Sequence, residues 1–71
     1  MTDFELLDKA IKDSGMPMTT LAERSKIKRE TLYNRIKGIG EFTASEIVGL
    51  CEALHINNDD REKIFFATKV E

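Results

Sequence analysis

No segment of this chain sustains an alternation of apolar and polar residues, so strands with one buried face are not expected. What the chain does sustain is helical spacing, cut into short lengths by stop signals. The spacing predicts a first helix over residues 3–13. Thr2 and Glu5 have capping-box spacing, Leu7 and Ile11 lie one turn apart with Leu6 and Ala10 beside them, and Gly15 follows as a stop. Pro17 has no amide hydrogen and is tolerated only in a first turn, which puts a short second helix at 17–25 with Leu21 and Ala22 facing inward. A third helix is expected over 29–37, ending at Gly38. Before the fourth, Thr43 and Glu46 form a capping box, and Phe42 and Ile47 take the positions of a hydrophobic staple. Ile47, Cys51 and Leu54 continue its apolar stripe, and His55 serves the helix end. Asn57 can cap a fifth helix, Asp59 and Asp60 favour its positive end, and it continues to about Phe66, leaving 67–71 to fray. Short connections between five helices imply one compact all-α domain over 1–71.

Seventy-one residues bury only about 60% of the surface their unfolded chain exposes, so the core must be thin. One cysteine, Cys51, and one histidine, His55, supply neither a disulfide nor a metal cluster. With no nucleophile–base pair, no open metal site and no cofactor motif, an enzyme is not expected. Cys51 reads as an inert core thiol, and Asp59 with Asp60 as partners of a helix dipole. Gly38-Ile39-Gly40 reads as a helix stop and turn, since no strand precedes it. No apolar run approaches the roughly 18 residues of a membrane span, and acids stand where a signal peptide would be basic. The expectation is a soluble cytoplasmic protein without a small-molecule substrate.

Charge is where the chain departs from a bland helical domain. Arg24, Lys26, Lys28, Arg29, Arg35 and Lys37 against Glu30 alone give residues 24–38 a formal +5, while the whole chain carries −2. A basic patch between acidic flanks binds a polyanion with one surface and repels it with the others. The patch coincides with the second and third helices and a turn of about three residues between them, the size of a helix-turn-helix unit. In that motif the second helix enters the major groove of DNA. With Leu32 at the centre of the buried face, Ile36 lies about 40° away and joins it. Glu30, Asn34 and Lys37 then fall on the opposite face, with Tyr33 on one flank and Thr31 and Arg35 on the other. The base-contact candidates are therefore Arg29, Glu30, Thr31, Tyr33 and Asn34. Asn34 offers the donor and acceptor that adenine needs, and Arg29 can grip guanine or a phosphate. Arg24, Lys26, Lys28, Arg35 and Lys37 are the phosphate candidates.

The run Leu21, Ala22, Glu23, then Ile27, then Arg29 through Gly38 resembles the phage lambda repressor and Cro-like (XRE-type) family. Gly40 to Ile47 and the closing Ile64, Phe65 and Phe66 are similar to the continuation in small prophage regulators. The likeness spans about Leu6 to Phe66. It implies a five-helix lambda-repressor-like fold, binding to double-stranded DNA, commonly as a dimer, and control of transcription at the nucleoid. Three positions depart from the pattern. Met18 stands where Gln often bonds phosphate, Lys26 where Gly often supplies a positive φ, and Lys28 where Ser often caps the recognition helix. These changes favour Coulomb attraction over backbone docking.

Ile64, Phe65, Phe66 and Val70 cannot all turn inward from one short helix. Ile64 and one Phe can complete the core, which leaves the other Phe and Val70 for a two-fold contact between subunits; Phe65, Phe66 and Val70 are the dimer candidates. A homodimer would present its recognition helices about 34 Å apart to a near-palindromic site. The alternative use of the same apolar tail is a protein-binding module of the antitoxin or adaptor kind.

Overall fold

Asp3 opens the first helix. In the computed structural model, which describes residues 1–67, α1 spans Phe4–Ser14, and the Asp3 carboxylate accepts the amides of Glu5 and Leu6, both at 3.1 Å. The cap is thus one residue later than the Thr2–Glu5 spacing suggested, because an Asp in extended backbone reaches the first free amides itself. α2 is Met18–Ser25, α3 Arg29–Ile36, α4 Ala44–Leu54 and α5 Asn58–Phe65, with no strand among the described residues.

The reciprocal capping box at α4 forms as expected. Thr43 Oγ1 accepts the Glu46 amide at 3.2 Å, and Glu46 Oε1 accepts the Thr43 amide at 2.9 Å. Asn57 Oδ1 caps α5 through the Asp60 amide at 2.8 Å. The C-terminal ends of α1 to α4 use left-handed backbone. Lys26 (φ 61°) ends α2, and the amide of Ile27 then bonds the Ala22 carbonyl at 3.1 Å, the six-residue closure of a Schellman motif. His55 ends α4 in the same conformation, with Ile56 bonded back to Cys51 at 2.9 Å. Gly38 ends α3, with Ile39 bonded back to Asn34 at 2.9 Å.

Four leucines, Leu7, Leu21, Leu32 and Leu50, come one from each of α1 to α4 and are fully buried; Ile64 and Phe65 of α5 close the cluster. The α4 stripe is centred on Ile47, Leu50 and Ala53, with Cys51 and Leu54 only half-buried at its margins. Phe42, on the loop before α4, meets Phe65 edge to face at a ring separation of 5.3 Å. The chain ends are drawn together. The Asp3 amide bonds the Ile64 carbonyl at 2.6 Å, and the Ala67 amide bonds the Met1 carbonyl at 2.9 Å. Ala67, expected to fray with 68–71, is therefore tied by its backbone; residues 68–71, Val70 among them, lie outside the described part.

α2 packs chiefly against α4, and α3 chiefly against α2. Gly49 makes the first contact possible. A β-carbon there would overlap the Ser25 carbonyl oxygen, so only glycine lets the end of α2 lie directly on α4.

Candidate nucleic-acid interface

Two anchors set the orientation of α3. Ile27, 7% exposed, pins the turn that enters it, and Leu32, fully buried, pins its middle, with Ile36 packed against the core beyond. The remaining surface of α3 faces out. Arg29, Glu30, Tyr33 and Lys37 are exposed, and Thr31 and Asn34 are half-buried on the same surface. The five base-contact candidates therefore lie on the outward part of one two-turn helix. Tyr33 keeps 43% of its surface open to solvent.

The cations divide into two groups. Ion pairs among the described residues join Lys9 to Asp13, Lys12 to Asp8, and Arg35 to Glu46. None of them involves Arg24, Lys26, Lys28, Arg29 or Lys37, which are all exposed. Lys26, Lys28 and Arg29 border an open recess of about 590 Å³ between α2 and the entry to α3, whose other walls include Thr19, Ala22, Glu23 and Ile27. Lys28 provides no side-chain acceptor to the first amides of α3, so that end of the helix is uncapped beside three positive groups. Such an arrangement suits a phosphate oxygen, which would take both the amides and the charge.

Arg35 does not join this group. Its Nε donates to Glu46 Oε1 at 3.3 Å and its Nη1 to the Ile39 carbonyl at 3.1 Å, with 23% of the side chain exposed. A phosphate role was expected from its place on the flank of α3; the fold instead gives it a carboxylate and a carbonyl of its own chain. Phe65 also changes place. It is 4% exposed within the core, so of the dimer candidates in the described residues only Phe66, 51% exposed, is free to meet another molecule.

Two residues that matter for this surface were not legible as such. Glu46 was recognisable as a cap but not as the partner of Arg35, since nothing local links positions 11 residues apart. Gly49 sits in mid-helix with no positive φ, and its requirement arises only from the approach of α2.

No group of three or more potential metal ligands is found among the described residues, and none of their helices is long and apolar enough to cross a membrane. Burial pushes the Cys51 thiol above its ordinary range, with Arg61 opposing, which disfavours the thiolate a nucleophile would need.

Five short helices around one core, with the second and third forming a cationic, outward-facing helix-turn-helix, define a DNA-binding domain of the repressor type of architecture. Residues 6–60 match the family described as the Cro/C1-type HTH DNA-binding domain, and the chain belongs to that family. No curated protein and no solved structure matches the chain significantly.

Proposed function

We propose that this protein is a sequence-specific regulator of transcription that occupies double-stranded DNA as a homodimer, with α3 lying in the major groove. The observation that carries this reading is the partition of the α2–α3 surface. Leu32 and Ile36 hold α3 to the core, Arg29, Glu30, Thr31, Tyr33 and Asn34 face outward, and exposed Arg24, Lys26, Lys28 and Lys37, which have no ion-pair partner among the described residues, surround them. Phosphate contacts from the last four would set the register, and the α3 face would sort sequences. Regulation follows by occupancy of the site, as repressor or Cro-like switch. The dimer rests on Phe66, which is left half-exposed at the end of α5 beside Met1, itself 72% exposed. Two copies joined there would read two half-sites about one helical repeat apart.

Selection of bound duplexes from a randomised pool tests the proposal. The expected product is a short motif repeated with two-fold symmetry, bound with an affinity that falls steeply as salt rises. Lys28→Glu with Arg29→Glu should abolish retention while leaving the fold intact by circular dichroism. Recovery of no motif together with a flat salt response would refute the reading. A protein-binding module would then be the better account, and Phe66 the residue to vary.

A further inference from the structure

We infer that Arg35 is a positioning residue, which locks the C-terminal turn of α3 onto the capping box of α4 and thereby sets how the recognition face is presented. The functional half of this inference rests on the DNA-binding reading above. α3 has eight residues and one fully buried side chain, Leu32, near its middle. A helix held at its centre can pivot. Ile27 restrains the pivot at the N-terminal side; at the other, Ile36 packs against the edge of the core and Arg35 adds directional polar bonds that an apolar contact lacks.

The contacts are specific. Glu46 Oε1 accepts from Arg35 Nε at 3.3 Å and from the Thr43 amide at 2.9 Å, so one oxygen serves α3 and the start of α4 together. Arg35 Nη1 reaches the Ile39 carbonyl at 3.1 Å, which adds the intervening loop to the same lock. Gly40, at φ 74°, lies directly against the guanidinium, and a β-carbon there would collide with Nη1. The Arg35 and Glu46 side chains are only 23% and 16% exposed, so water screens them less than it screens Lys9–Asp13 or Lys12–Asp8. A lysine could not replace this residue, because its point charge lacks the two divergent donors of the fork. Two of the guanidinium nitrogens, Nε and Nη1, are thus committed to groups of its own chain.

The test uses Arg35→Gln, Arg35→Lys, Glu46→Gln and the Arg35→Gln/Glu46→Gln double variant in the whole chain. Unfolding is followed in urea. Binding is measured across salt concentrations against a duplex recovered by selection and a shuffled duplex of equal length. Glu46→Gln keeps an oxygen for the Thr43 amide but discharges the partner of Arg35, so this variant weakens the bridge to a neutral hydrogen bond and spares the cap even if substitution at 35 prevents folding. The expected results are a coupling of about threefold or more in the unfolding constant between positions 35 and 46, and a preference for the selected duplex that falls about tenfold, the worth of a misplaced base contact. Arg35→Lys should lose as much preference as Arg35→Gln, and the salt slope should not change. A slope reduced by about 0.9 per protomer, about 1.8 for the dimer, with preference intact would make Arg35 a phosphate ligand and overturn the inference. Parallel loss of both affinities in proportion to the folded fraction would reduce it to a stability contact, which also overturns it. If the parent chain binds neither duplex, the DNA-binding reading fails and the positioning role falls with it; if it binds but positions 35 and 46 show no coupling, the inference alone fails.

Discussion

Replacing Lys26 by glycine should strengthen the fold and weaken the grip on DNA, because the same residue holds a strained backbone and an exposed charge. Lys26 sits at φ 61° and ψ 32°, where its β-carbon crowds the following carbonyl. That conformation costs a residue with a side chain about 1–2 kcal/mol, whereas glycine adopts it freely but loses about 0.5–1 kcal/mol more chain entropy on folding. The net gain for Lys26→Gly is roughly 0–1.5 kcal/mol, and a domain of this size converts the midpoint of that range into roughly 3–6 °C of melting temperature. The Ile27 amide to Ala22 carbonyl bond needs no side chain at 26 and should persist. Loss of the ammonium beside the recess, by contrast, removes one phosphate contact from each protomer, so for the proposed dimer the slope of log K against log salt should become shallower by about 1.8, about 0.9 from each copy. Lys26→Ala provides the control, since it discards the charge and keeps the strain. It should show the same change of slope with no gain in melting temperature. Calorimetry and fluorescence anisotropy on the three chains measure both quantities. Equal melting temperatures for the alanine and glycine variants would refute the strain reasoning, and an unchanged slope in both would remove Lys26 from the phosphate contacts.

Gly49→Ala should cost about 1–3 kcal/mol in urea unfolding, because the added methyl meets the Ser25 backbone and α2 must lift from α4; an unchanged midpoint would show that the helices separate freely. Phe65→Ala should leave most of the chain unfolded by circular dichroism, since emptying a core phenylalanine costs about 3–5 kcal/mol. Phe66→Ala should stay folded and sediment as a monomer, and retention of a dimer would exclude that surface as the interface. The raised Cys51 pKa makes stability depend on pH in one direction. The unfolded thiol ionises first, near pH 8.5, so the cysteine's contribution is complete below that pH and is lost as pH rises through the folded value. Melting temperatures of the parent and Cys51→Ala should therefore converge between pH 8 and pH 10, about where the unfolded thiol titrates, and parallel curves would refute the assignment.

Much of this molecule was legible before any coordinates. Thr43 with Glu46, Asn57, and the stops at Gly15 and Gly38 act within three or four residues of themselves, and such signals survive whatever surrounds them. Lys26 was recognisable as a left-handed position through family likeness, and its φ is indeed positive. The cap of α1 was misplaced by one residue because Thr2 and Asp3 both carry acceptable chemistry, and local spacing alone does not rank them.

The chain by itself determined five helices, their order, the family and the face of α3 that turns away from the core, because periodicity and capping are properties of contiguous residues. Only the tertiary structure decided which aromatic of Phe65 and Phe66 is buried, that Gly49 must lack a side chain, and that Arg35 belongs to Glu46. Those outcomes depend on which helix lies across which. A side chain has many equally good local partners until packing brings one of them within bonding distance.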